Sequence, residues 1–365
     1  MAQAGTVGTY GTFAINAAGA WTYTASSAHN EFTAGSTYTD TFSVASADGT
    51  STSVTINIAG SNEAALHDFS GDGNGDILWH NAATGGTSVW NLMSGQLATS
   101  PSWLGNIGLD WQVAGVGDFN GDSTSDILWH NISTGQASIW QMNNGQLAAA
   151  PVLSGSVGPD WQTAGIGDFN GDGTSDILWH NGNTGGTLIW EIGNGRIAGS
   201  PVSLGTINAD WQIAGVGDFN GDGTSDILWH NGVYGGTSIW DINDSSLAAP
   251  PATLGNISTE WQIAGTGDFN GDGTSDLLWH NSATGGTSVW EIGNGYLASS
   301  PISLGNISTD WQIASVDDFN GDGTSDILWH NGITGDTSIW EIDNGHLANA
   351  PISLGNISSE WHIIG

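Results

Sequence analysis

The stretch whose reading decides the fold is Asp168-Phe169-Asn170-Gly171-Asp172-Gly173-Thr174-Ser175-Asp176-Ile177-Leu178-Trp179-His180-Asn181. It carries carboxylates at its first, fifth and ninth positions and an amide oxygen at its third. Oxygen side chains at alternate positions of a tight turn suit a hard cation that takes about six to eight oxygen ligands. Gly171 and Gly173 let the backbone fold round an ion with positive φ. By analogy with the EF-hand loop, the carbonyl of Thr174 is the natural further ligand. The EF-hand closes on a glutamate at its end, whereas this loop closes on Asp176 and enters the apolar run Ile177-Leu178-Trp179. It therefore feeds a strand. The alternative is a plain turn rich in Asp, Asn and Gly, which are ordinary turn residues.

Six copies in register favour calcium. They start at Asp68, Asp118, Asp168, Asp218, Asp268 and Asp318, with no insertion or deletion between them. The candidate ligands of the first two copies are Asp68, Ser70, Asp72, Asn74, Asp76 and Asp118, Asn120, Asp122, Thr124, Asp126. Those of the next two are Asp168, Asn170, Asp172, Thr174, Asp176 and Asp218, Asn220, Asp222, Thr224, Asp226. The last two offer Asp268, Asn270, Asp272, Thr274, Asp276 and Asp318, Asn320, Asp322, Thr324, Asp326. The expected cofactor is Ca2+, up to six ions. In the first loop Ser70 stands for Asn, and in the second Ser123 stands for the second Gly. Those two loops are expected to bind more weakly.

The 365 residues hold 36 acidic side chains against a single Lys or Arg, and the formal charge of −35 argues against nucleic acid and anionic membranes as partners. Half of the acidic residues lie in the six loops. There is no cysteine, hence no disulfide framework. The start Met1-Ala2-Gln3-Ala4 shows no signal-peptide pattern, and no apolar run is long enough to span a membrane. A Gly-rich, Asp-rich, Cys-free acidic chain fits bacterial export in an unfolded state, which places the protein outside the cell or on its surface.

One repeat parses into four strands. Trp161 to Phe169 is small and Gly-rich, Ser175 to His180 follows the loop, Thr187 to Ile192 comes next, and Ile197 to Leu204 is interrupted by Pro201, which suits an edge. Four meandering strands per repeat describe a propeller blade, inner strand first. The inner-strand Trp recurs at Trp111, Trp161, Trp211, Trp261, Trp311 and Trp361. The last has no loop after it, and the first loop has Ser61 where such a Trp would stand. The C-terminal strand is thus expected to complete the first blade. The fold class is all-β: a six-bladed β-propeller of four-stranded blades over residues 63–365, preceded by a small β-sandwich-like segment over residues 1–62.

The repeat pattern Gly-x-Gly-Asp-Phe-Asn-Gly-Asp-Gly-x-x-Asp-Ile resembles the FG-GAP-type repeats of bacterial proteins, related to the propeller of integrin α-chains. The resemblance covers residues 63–365 and implies calcium in the loop between the first two strands of each blade. The second strand ends Leu-Trp-His-Asn where integrin blades usually carry small residues, so integrin-like partners are not carried over. Residues 6–62 lack the loop. Their segments Gly11–Asn16, Ala20–Thr24, Thr39–Val44 and Ser53–Ile58 alternate with period two and read as four antiparallel strands. With Tyr10-Gly-Thr-Phe13, Gly19-Ala-Trp-Thr-Tyr23, Tyr38-Thr-Asp-Thr-Phe42, Asp48-Gly-Thr-Ser51 and Val54-Thr-Ile-Asn-Ile-Ala-Gly60, this stretch resembles the C-terminal part of a VCBS domain, a cadherin-like sandwich of bacterial surface proteins.

Two further side-chain rings are candidates for ligand binding. Trp90, Trp140, Trp190, Trp240, Trp290 and Trp340 precede a turn, and an indole face can stack on a sugar ring. The alternative is that these large aromatics fill the gaps between blades. His80, His130, His180, His230, His280 and His330 each precede an Asn. They read either as polar ends of inter-blade grooves or as supports of the following turn. No nucleophile–base pair stands out, and the chain is expected not to be an enzyme. Its expected role is calcium-stabilised binding or adhesion to an extracellular glycan or protein, with multivalent sugar contacts. The alternatives are a structural spacer of a larger surface protein and an accessory domain of a secreted hydrolase.

Overall fold

The structure, a computed structural model, describes residues 3–16, 20–25, 37–45, 51–59, 67–98, 100–148, 150–356 and 362–364. The chain divides into two units, Met1–Glu63 and Ala64–Gly365.

In the first unit, strands Gln3–Val7, Gly11–Ile15 and Trp21–Ala25 form one antiparallel sheet, and Thr37–Ala45 pairs with Ser51–Ala59 as a hairpin. The strand Gln3–Val7 was not expected from sequence, because Gly5 interrupts its alternation. Phe13 and Phe42 stack with centroids 4.9 Å apart, joining sheet to hairpin. Asp40 sits beside them, accepting hydrogen bonds from Thr9 N at 2.7 Å, Tyr10 N at 3.0 Å and Tyr23 Oη at 2.7 Å. Burial opposes its ionisation, but these donors outweigh burial and hold the carboxyl below its ordinary range. Burial and the Asp40 carboxylate push the Tyr23 hydroxyl up to about 12.

The second unit holds six four-stranded antiparallel sheets among its described residues. The second sheet shows the plan: Trp111–Gly117, Asp126–Asn131, Gln136–Trp140 and Val152–Ser156 lie in that order. The third to sixth sheets repeat it at the same spacing. The first sheet combines Ile77–Asn81, Gly86–Trp90 and Ser102–Asn106 with the C-terminal strand His362–Ile364, which pairs antiparallel to Ile77–Asn81. Trp361 itself lies outside the described residues. In the second to sixth sheets a bulge interrupts the first–second strand pairing, as between Val113 and Gly115, and adds twist.

The fourth strand is shorter than expected. Arg196–Ile197 pairs with Ile192–Gly193 in a hairpin of its own, and the outer strand runs only from Val202 to Thr206, after Pro201. Asn194 and Gly195 both have positive φ, the geometry of the two-residue turn that favours Asn-Gly.

Both faces of the second strand are covered, which explains why it is apolar at successive positions instead of alternating. Leu128 packs with Phe119 and Ile139 against Ile177 and Trp179 of the third sheet and Ile192 of the hairpin that follows its third strand. Ile127 and Trp129 face the first sheet, against Phe69, Leu78 and Val89. Equivalent clusters lie at every interface, including the one where Phe319, Leu328 and Ile339 of the sixth sheet meet Ile77, Trp79 and Leu92 of the first. Six interfaces for six sheets close a ring. At the closing interface His67 Nδ1 lies 2.9 Å from the buried Asp317 Oδ2; the two share one repeat position, at which the other four copies have glycine.

Backbone hydrogen bonds also run round the ring. Ser125, Ser175, Ser225, Ser275 and Ser325 donate their N–H to the carbonyls of Asp68, Asp118, Asp168, Asp218 and Asp268, and Gly75 donates to Asp318, all within 2.8 Å. Every loop is thereby bonded to the next. Among the described residues no helix is long and apolar enough to cross a membrane.

Candidate metal loops and inter-sheet grooves

Each loop is organised by its first aspartate. Asp168 Oδ1 accepts from Gly171 N at 2.7 Å and Asp172 N at 3.2 Å, while Oδ2 accepts from Gly173 N at 2.8 Å. Asn170 Oδ1 accepts from Asp172 N, and Asp172 Oδ1 from Thr174 N. The Thr174 hydroxyl lies within hydrogen-bond distance of Asp172 Oδ1 and of the Ile192 carbonyl, so it links the loop to the neighbouring hairpin.

The ninth-position aspartates lie deepest. Asp76, Asp126, Asp176, Asp226, Asp276 and Asp326 are all buried, and Oδ1 of each accepts one backbone N–H, as Asp326 does from Ile342 at 2.9 Å. In the third, fourth and fifth loops Oδ2 accepts from the Phe after the first aspartate. In Asp76, Asp126 and Asp326 Oδ2 is buried with no partner. Burial pushes these three carboxyls up to about 8, and repulsion from the other loop carboxylates adds to it. Asp276 is likewise pushed to about 8, and Asp176 and Asp226 to about 7.

A buried carboxylate oxygen without a hydrogen-bond donor, in a loop of oxygen side chains only, fits a hard divalent cation. Against that, among the described residues no three His, Asp or Glu side chains are grouped closely enough to hold a metal. The donor chemistry fits calcium; the side chains are not drawn together round one point.

The two atypical loops differ as their sequences suggest. Ser70 Oγ donates to Asp68 Oδ1 at 3.2 Å, and Asn74 Nδ2 donates to Asp72 Oδ1 at 3.0 Å. Ser123 has φ 65, a left-handed conformation, where the third loop has Gly173 at φ 82.

The histidines and tryptophans of the grooves are packed between sheets. Each second-strand Trp from Trp79 to Trp329 is fully buried and meets the third-strand Trp of its own sheet at 5.1–5.2 Å between centroids. The latter are Trp90, Trp140, Trp190, Trp240, Trp290 and Trp340. Trp190 is 3 % exposed and Trp340 9 %, which leaves a sugar no indole face there. Each His lies edge-on to the second-strand Trp of the following sheet, as His80 does to Trp129 at 5.3 Å and His330 to Trp79 at 6.0 Å. His80, His180, His230, His280 and His330 bond through Nδ1 to the hydroxyls of Thr87, Thr187, Thr237, Thr287 and Thr337 at 3.0–3.3 Å. The next residue, the Asn, shapes the turn: Asn131 Oδ1 accepts from Ser133 N and Thr134 N.

These contacts give the histidines, the asparagines, Trp190 and Trp340 a part in packing and turn geometry, while Trp90, Trp140, Trp240 and Trp290 are half-buried. Burial lowers the pKa of His130, His180, His230 and His280. Reading the repeat as a consensus missed the one exception: His130 faces Ala137 instead of a Thr.

No curated protein matches the sequence. Among solved structures, AztD of Citrobacter koseri is similar at 13 % identity and TM-score 0.45, covering 89 % of this chain and 94 % of that one. Regucalcin of Agrobacterium tumefaciens, described as a calcium-binding protein, is similar at 12 % identity and TM-score 0.42, covering 65 % of this chain and 73 % of that one. A quinonprotein alcohol dehydrogenase-like protein of Bacteroides thetaiotaomicron is similar at 9 % identity and TM-score 0.42, covering 89 % and 83 %. This last likeness corrects the expectation that the chain is not an enzyme. A ring of sheets without an evident nucleophile–base pair is no ground for excluding catalysis, since one fold hosts many functions. The family model for FG-GAP-like repeats matches residues 118–179, 168–229 and 268–329. The chain carries FG-GAP-like repeats.

Proposed function

We propose that the ring is a calcium-stabilised module that binds an extracellular glycan or protein, carried by a secreted or surface-attached bacterial protein. The supporting observation is the set of buried ninth-position aspartates, three of them with an oxygen that no donor satisfies. Up to six Ca2+ would be held by the side-chain oxygens of the first, third, fifth and ninth loop positions and the carbonyl of the seventh. The ion's role is structural: it neutralises acidic loops that otherwise repel one another. The first and second loops, with Ser70 and Ser123, would be the weaker sites. The N-terminal unit would be part of a VCBS-like sandwich that joins the ring to a larger surface protein.

Thermal unfolding in millimolar calcium and in chelator tests the metal reading. At about ten times the dissociation constant each site adds about 1.4 kcal/mol by mass action, so several sites should shift the melting temperature by many degrees. Equal melting temperatures in the two buffers would show that the loops are turns only. Binding to a glycan array and to extracellular matrix proteins in calcium buffer tests the ligand reading, and uniformly negative results would refute it.

A further inference from the structure

One interface between sheets departs from the repeat. Between the second and third sheets lies a cavity of about 350 Å³, lined among others by Gln112, His130, Pro159, Trp161, Gln162 and Thr163. Its size is at the lower end of the range for small-molecule sites. Three substitutions set this interface apart. Thr163 stands where the other five first strands carry Val113, Ile213, Ile263, Ile313 and Ile363. Ala137 stands where the other five third strands carry Thr87, Thr187, Thr237, Thr287 and Thr337. Pro159 occurs at this place in no other repeat.

The consequences are visible in the hydrogen bonding. His130 is 6 % exposed, lines the cavity, and has no threonine hydroxyl beside it; its buried Nε2 has no partner. Thr163 Oγ1, on the opposite sheet, is also buried without a partner. Buried polar atoms are nearly always hydrogen-bonded, and leaving one unpaired costs stability. Two such atoms belong to residues lining one cavity, and the Thr163 hydroxyl is there only through a departure from the repeat; together they point to a ligand that completes them.

We propose that this cavity is a single binding site for a neutral pyranose-sized sugar ring. The half-buried Trp161 supplies a flat apolar face. Gln112 and Gln162 are exposed at the rim, where their amides can both donate and accept. No charged side chain lines the cavity, and the net charge of −35 repels anions. His130 and Thr163 would serve the sugar hydroxyls at the closed end, with rotations of both side chains turning the buried Nε2 and Oγ1 inward. The proposal rests on the ligand-binding reading above and narrows it from six sites to one.

The test uses the full chain in calcium buffer and a panel of methyl pyranosides: α-mannoside, β-glucoside, β-galactoside and β-N-acetylglucosaminide. Binding is read by saturation-transfer NMR and calorimetry. At least one sugar should saturate with one site per chain. Thr163→Ile and Ala137→Thr each install the residue found in sister sheets, so both variants should fold, and each should weaken binding about tenfold or more. A stoichiometry of several per chain, unchanged affinity in both folded variants, or no binding of any panel sugar overturns the proposal. Glycan-array binding that persists in both variants overturns this site and leaves the broader ligand reading standing. Absence of all binding removes both.

Discussion

Replacing Asp326 with Asn separates the cost of a buried carboxylate from its use. Asp326 is fully buried; Oδ1 accepts from Ile342 N and Oδ2 has no partner, so the neutral amide keeps the bond and loses none. Burial, with repulsion from Asp322, Asp318 and Glu341, pushes its carboxyl from 3.8 to about 8. The folded state thus holds the proton more tightly than the unfolded chain. Stability from this group is present at low pH and lost as pH rises from about 4 towards 8. Four units correspond to an upper figure on the order of 5 kcal/mol for the ionised group at pH 8. In chelator at pH 8, Asp326→Asn should raise the melting temperature by several degrees. At pH 4 the two proteins should melt together. In saturating calcium the order should reverse, because the amide forfeits a charged ligand. The assay is calorimetry of both proteins at the two pH values, with and without calcium. A lower melting temperature for the variant in chelator at pH 8 would refute the claim that the apo carboxylate is a burden.

Ser123→Gly should stabilise the protein by roughly 1 kcal/mol, since φ 65 strains a side-chain-bearing residue; an unchanged or lower urea midpoint would count against strain there. Gly165→Ala should destabilise by about 1–3 kcal/mol, because a Cβ would stand 2.2 Å from Val216 Cγ2, while Gly182→Ala, with nothing within 4 Å, should be neutral. Similar unfolding midpoints for the two would show that the inner strands can move apart. His130, His180, His230 and His280 should titrate below 6.5 by NMR of their ring protons. The unfolded chain takes these protons first, so each histidine subtracts stability as pH falls below about 6.5.

The architecture was legible where one physical demand recurs in every copy. A loop that must turn tightly needs its Asn and Gly, and a strand covered on both faces needs Ile-Leu-Trp without a polar break. The short hairpin at Ile192–Ile197 was less legible: two residues a side leave no periodicity to read. The roles of Trp140 and Trp190 could not be told apart from sequence, because packer and platform need the same indole. The cavity beside Thr163 escaped for the opposite reason. Comparing copies draws attention to what they share, whereas this feature consists of departures in two neighbouring copies, and only the fold brings Pro159 and Thr163 to one space with His130.

The hydrogen bonds that pass from each loop to the next have a consequence for how the ring comes apart. An open array of repeats is a line of nearest-neighbour couplings with two ends, and it frays from those ends unless capped. Here the sixth loop is bonded to the first as the others are to one another, so the line becomes a circle and no repeat is terminal. Fraying has one place to start: the first sheet, whose inner strand His362–Ile364 is three residues long and arrives from the far end of the chain. Once that strand detaches, the circle becomes a line and every remaining coupling is exposed to loss from an end. The amides of Ser125 to Ser325 should therefore exchange with solvent as one group, at the rate set by the first sheet's opening.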